Sequence, residues 1–195
     1  MRRRVFDVLT SMVGLMLVVI LAVAGGLAMW GYNFSNNSVH TQLAQQQISF
    51  PVLGSTALAS PKIGPYLNQY AGQQLTTGPQ AEAYADHFIA VHLSEMPYNG
   101  VYANVSAASM AAPTNATLKA EVQTVFQGTT LRGLLLEAYA FSVFATIALW
   151  AAIASFVAAF VMALLVGFGF WHARKVPADA EILPRTTPTP EPATV

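Results

Sequence analysis

Residues 138–171, AYAFSVFATIALWAAIASFVAAFVMALLVGFGFW, run for 34 positions without a formal charge. As one helix rising about 1.5 Å per residue, the run reaches roughly 50 Å, well beyond the roughly 30 Å of bilayer hydrocarbon. Its first turns should therefore project past the lipid, placing the embedded part near residues 148–170. A second uncharged run at residues 8–32, VLTSMVGLMLVVILAVAGGLAMWGY, is also long enough to cross. Between them lie about a hundred more polar residues. The expected architecture is all-α: an integral membrane chain whose two transmembrane helices flank a small helical extracytoplasmic domain.

The whole chain of 195 residues is 54% hydrophobic and 9% charged, against about 25% charge in an ordinary soluble domain. Nine basic residues balance nine acidic ones, which gives no basic footprint for nucleic acid. Cysteine is absent, so disulfides, thiolate metal sites and thiol nucleophiles are excluded together. Any domain between the runs has to be held by packing alone.

Arg2, Arg3 and Arg4 precede the first run, and His172, Arg174 and Lys175 follow the second. Basic flanks stay on the cytoplasmic side, so both termini are expected inside a plasma membrane crossed twice. The corresponding division is 1–7 cytoplasmic, 8–32 first span, 33–137 extracytoplasmic helical domain, 138–171 second span with its outward extension, and 172–195 cytoplasmic tail. A cleaved signal peptide competes for the N-terminus, since Ala22-Val23-Ala24 resembles a cleavage site and Arg3-Arg4-Val5-Phe6 echoes a twin-arginine signal. The apolar run continues to Trp30 and Tyr32, however, which favours an uncleaved anchor with an interfacial aromatic end. The tail carries Pro177, Pro184, Pro188, Pro190 and Pro192 among threonines, a composition that cannot bury enough surface to fold.

In the central segment, Thr77-Gly78-Pro79 predicts a capped helix start, and Ala81, Tyr84, Ala85, Phe88, Ile89 and Leu93 share a face of a helix from Pro79 to about Met96. Pro97 and Asn99-Gly100 should end it. Residues 102–112 read as a shorter helix. Thr114 can cap another that ends near Gly128, after which Thr129 or Thr130 would start the final long helix. Residues 39–47 read as an extension of the first helix, and 48–65 as irregular.

Chemistry is less legible. His87 and His92 are weak metal candidates, because five residues on an α-helix set them about 140° apart. Met96, four residues past His92, can share its face, but a methionine beside Leu93 is ordinary packing. Glu82 and Asp86 share the same spacing and read as a solvated, mutually repelling pair. No nucleophile elbow or phosphate loop is present, and no cofactor is expected. Small residues form stripes in the runs: Ala22 and Gly26 in the first, and Ala152, Ser155, Ala159 and Ala163 in the second, with Ala148 and Gly167 extending the latter. Such stripes let helices approach where lipid provides no hydrophobic drive, within one chain or in a homo-oligomer. Four Asn-x-Ser/Thr triplets start at Asn33, Asn36, Asn104 and Asn115; their use as glycan acceptors depends on the source.

The opening Met1 to Asp7, with residues 40–50 (HTQLAQQQISF), 63–86 (IGPYLNQYAGQQLTTGPQAEAYAD) and 130–139 (TLRGLLLEAY), resembles a family of uncharacterised actinobacterial membrane proteins over most of residues 1–172. The resemblance implies no established activity. Some members carry an aromatic ring-opening dioxygenase label, which would need iron held by two histidines and a carboxylate; His87 and His92 diverge, and the label is not carried over. The expected function is that of a non-enzymatic cell-envelope protein, in contact with the lipid bilayer and docking other membrane or envelope proteins. Gln45-Gln46-Gln47 and Gly72-Gln73-Gln74 supply candidate polar contacts. A ligand sensor without its own output domain and a metal-dependent envelope enzyme are the alternatives.

Overall fold

The structure is a computed structural model describing residues 2–177 and 180. The proline- and threonine-rich tail expected to stay unfolded lies almost wholly outside them. The described residues are mainly helical, with turns and an isolated antiparallel bridge between Ser49 and Gln74. Two helices dominate: α1, Arg3–Gln46, and α6, Ala116–Lys175. Both are long and apolar enough to cross a membrane. Between them come α2 (Gly64–Leu67), α3 (Gly78–Tyr84), α4 (Ala90–Ser94) and α5 (Tyr102–Ala111).

The chain divides into two units, the first made of Met1–Ala28 with Trp150–Val195 and the second of Met29–Leu149. In the first, α1 and α6 pack through small side chains. A Cβ on Gly14 would stand 2.7 Å from Val166, and one on Gly25 would stand 2.9 Å from Phe156. A Cβ on Gly169 would strike the Ser11 hydroxyl. Residue numbers fall along α6 as they rise along α1, so the pair is antiparallel. On α6 the buried positions Ala152, Ala159, Val166 and Ala173 recur every seven residues, the repeat that keeps one seam of a helix against its partner.

The second unit begins with the capping motif visible in the sequence. The Thr77 hydroxyl accepts from the Gln80 N–H at 3.4 Å, while Gln80 Oε1 accepts from the Thr77 N–H at 3.1 Å and the Thr76 N–H at 2.8 Å. Pro79 occupies the first turn. Gly78 is packed so closely that a Cβ there would overlap Ser142. The core gathers Val39 and Leu43 of α1, Leu67 of α2, Phe50 and Leu75 of the connecting segments, and Leu135 of α6, with Leu67 and Leu75 fully buried. Segment 48–51 is tied to 72–75 by backbone bonds from the Leu75 N–H to Ile48 O (2.8 Å), Phe50 N–H to Gln73 O (2.9 Å) and Gly72 N–H to Pro51 O (3.1 Å).

Two local expectations are corrected. The helix expected to end near Gly128 does not end; α6 continues from Ala116 to Lys175. Gly128 keeps helical geometry and serves close packing, because a Cβ there would lie 2.8 Å from Leu93 Cδ2. The cap of α6 is Asn115, whose Oδ1 accepts from the Leu118 N–H at 3.1 Å, rather than Thr114. The other correction is that the helix over 79–96 is not uniform: residues Ala85–Ile89 form a π-helical turn between α3 and α4. After Pro97 the chain passes through left-handed backbone at Tyr98, Asn99 and Gly100, with φ of 57°, 54° and 63°. Gly100 is required there, since a Cβ would strike the Leu93 carbonyl.

The helix seam gives a direct prediction. Ser11 Cβ lies 3.6 Å from the position of a Gly169 Cβ, within the usual Cβ separation of a disulfide. Because the chain has no native cysteine, oxidising the Ser11→Cys/Gly169→Cys variant should form an internal disulfide, seen as a reducible mobility shift. Gly26→Cys with Gly169→Cys should not, as Gly26 faces open space.

Candidate functional site

The π-helical turn inserts one residue into the helical register, closing with the Ala90 N–H on the Ala85 carbonyl. Such turns re-aim the side chains around them and recur at functional sites. Here Asp86 Oδ1 accepts from an Arg132 guanidinium N–H of α6 at 2.7 Å, with both side chains a little over a third exposed. Asp86 is therefore drawn to a cation far along the chain instead of forming a carboxylate pair with Glu82. Arg132 Nε is buried without a hydrogen-bond partner among the described residues, so the guanidinium is only partly satisfied.

The next residue, His87, lies flat on Tyr66, with ring centroids 3.6 Å apart and planes within 1°. Beside it runs a chain of rings. Phe50 meets Tyr70 at 5.3 Å and the edge of Tyr84 at 5.4 Å. Tyr84 meets Phe88 at 4.7 Å, and Phe88 meets His92 at 4.5 Å. His92 Nδ1–H donates to the Phe88 carbonyl at 2.7 Å, while Met96 is held by its N–H on the Leu93 carbonyl. The rings of the metal candidates His87 and His92 thus have separate local partners, Tyr66 and Phe88. Among the described residues, no three His, Asp or Glu side chains gather as a metal-holding group.

A second feature is an apolar groove of about 300 Å³ between residues 34–46 of α1 and 131–141 of α6. Phe34, Leu134 and Phe141 line it and remain 63%, 58% and 51% exposed. Its polar wall includes Ser38 and Gln42, which are hydrogen-bonded to each other at 2.9 Å. Gln46 also lines it. Of the glutamines read as contacts, Gln73 Oε1 accepts from Gln80 Nε2 at 3.0 Å, and Gln74 Nε2 donates to the Ala44 carbonyl at 2.9 Å. Those two are occupied within the unit.

The small residues are distributed unevenly. Ala152 and Ala159 are buried, Ser155 is half-buried, and Ala163 is exposed. On α1 the seam runs through Ser11, Gly14 and Gly25, whereas Ala22 and Gly26 are exposed. The shift from Gly26 to Gly25 is one residue, or about 100° around a helix. The Asp86–Arg132 pair and the groove had only indirect signals in sequence: the scarcity of opposite charges in the segment, and aromatics at Phe34 and Phe141 beyond the first run and early in the second.

Comparison with known proteins adds no relative: no protein-family model, curated protein or solved structure matches this chain.

Burial raises the Tyr84 hydroxyl above its ordinary value of 10.0, because the phenolate loses more solvation than the phenol. The raised value favours the neutral form in the folded chain. Its contribution to stability is complete below pH 10 and is lost as pH climbs through the raised value. Thermal unfolding of wild type and Tyr84→Phe should therefore converge in their response at neutral pH and diverge above pH 10, where only the wild type carries this loss.

Proposed function

We propose that the chain is a non-enzymatic cell-envelope protein, anchored by two membrane-crossing helices, whose second unit lies outside the plasma membrane and docks another membrane or envelope protein. The membrane part is supported by burial: only 11% and 17% of the most apolar windows of α1 and α6 are buried within the protein. The core helix of a soluble protein would be mostly covered by its own chain. Lipid supplies the missing cover, and the basic residues at Arg2–Arg4 and Arg174–Lys175 favour cytoplasmic termini.

The observation that carries docking is the groove lined by exposed Phe34, Leu134 and Phe141. Clustered apolar side chains with a polar wall are the anatomy of a protein-recognition surface. An amphipathic helix of a partner has the matching chemistry, with its apolar face on the phenylalanines and its polar edge on Ser38, Gln42 and Gln46. The volume of about 300 Å³ also falls at the lower end of small-molecule cavities, which favours a ligand sensor as the second reading.

Photocrosslinking in native membranes separates them. A photoreactive residue at Leu134 should give discrete protein adducts, whereas one at exposed Thr117, outside the groove, should not. Absence of protein adducts at Leu134 would contradict docking; thermal stabilisation of the purified chain by a small apolar ligand would then favour the sensor.

A further inference from the structure

We propose that the first unit holds a phospholipid whose headgroup carries a primary amine, in a cavity at the end of the helix pair that bears Asp7 and His172. The cavity has a volume of about 330 Å³. Its polar part is formed by Asp7, Thr10, Ser11 and His172. Deeper along the same two helices its walls are Gly14, Met162 and Val166, all without charge.

One atom in this cavity asks for a specific partner. Asp7 Oδ2 is buried, and no hydrogen-bond donor reaches it among the described residues. A carboxylate oxygen removed from water needs a donor or a positive charge, and both together are better than either. His172 lines the same cavity but forms no ion pair with Asp7 within 4.0 Å. Among the described residues, the other cations of this helix end, Arg2, Arg3, Arg4, Arg174 and Lys175, are exposed. Lys175 is placed over the Trp171 ring, 3.8 Å from its centre. An ammonium group from outside the chain would supply the missing donor to Asp7.

The rest of the occupant follows from the shape of the site. Apolar walls beneath a polar mouth match an amphiphile, with the ammonium at Asp7 and the upper acyl chain along Gly14, Met162 and Val166. Thr10 and Ser11 offer hydroxyls to the linking phosphate and ester oxygens. A phosphatidylethanolamine has all of these groups. Phosphatidylcholine has the same phosphate and tails but no N–H to donate, and phosphatidylglycerol lacks the positive charge.

This inference rests on the reading that α1 and α6 cross a bilayer, and it is tested separately from it. The full chain is purified in mild detergent, supplied with equal amounts of phosphatidylethanolamine and phosphatidylcholine of identical tails, and examined by native mass spectrometry. Retention of the ethanolamine lipid should exceed that of the choline lipid roughly tenfold, the scale of one charge-assisted hydrogen bond. Asp7→Asn should abolish the preference while leaving the lipid-free unfolding temperature within the range of a surface substitution. Leu165→Trp, which narrows the apolar part from an exposed wall position, should reduce retention of both lipids.

Equal retention of the two lipids by the wild-type chain would overturn the proposal, whatever the variants do. So would stabilisation by free ethanolamine equal to that by the lipid, since the tail would then play no part. Failure of the membrane reading has a different signature: the chain would be released from membranes by alkaline carbonate without detergent.

Discussion

The apolar surface of α1 and α6 in the first unit is the constraint on which the remaining organisation depends. Large apolar side chains such as Val13, Met16, Phe160 and Leu165 are roughly half exposed or more along both helices. At about 25 cal/mol for each square ångström left in water, a surface of this kind forgoes stabilisation that apolar surroundings would supply. In hydrocarbon it costs nothing, and the backbone is already satisfied within each helix. Within a bilayer, as proposed, lipid would remove the hydrophobic drive between the helices, and their association would have to come from close fit. Gly14, Gly25, Ala152 and Ala159 give the seam that close fit, with Val166 and Phe156 set against the two glycines.

The second unit solves a different problem. It has a conventional core of Leu, Ile and Phe side chains, where burial from water does the stabilising. Without a disulfide, its irregular stretch is fixed by backbone hydrogen bonds between segments 48–51 and 72–75 and by the Gln80 side chain. The ring sequence from Tyr70 through Phe50, Tyr84 and Phe88 to His92 continues the core past the π-helical turn. Exposed apolar residues remain at the groove, which is where a partner would add cover.

What sequence revealed followed the range of the interactions. The two long helices, the Thr77 cap with Pro79 in the first turn, and the break at Pro97 depend on neighbouring residues, and they were legible. Gly128 was misread because a glycine that ends a helix and one that admits Leu93 look alike until the contact is known. Ala163 and Ala159 differ in exposure through their phase around one helix, and the composition of the stripe carries no phase. The π-helical turn adds no diagnostic residue. The Asp86–Arg132 pair joins positions 46 residues apart, beyond the reach of any local pattern.

The central claim is that both long helices cross a bilayer with the second unit on the far side from the termini. A chain without cysteine permits single-cysteine mapping in intact cells with a membrane-impermeant maleimide. Lys62→Cys, at an exposed position in the second unit, should be labelled before lysis, and Pro177→Cys, just past α6, only after permeabilisation. Labelling of Pro177→Cys in intact cells, with Lys62→Cys protected, would contradict the account.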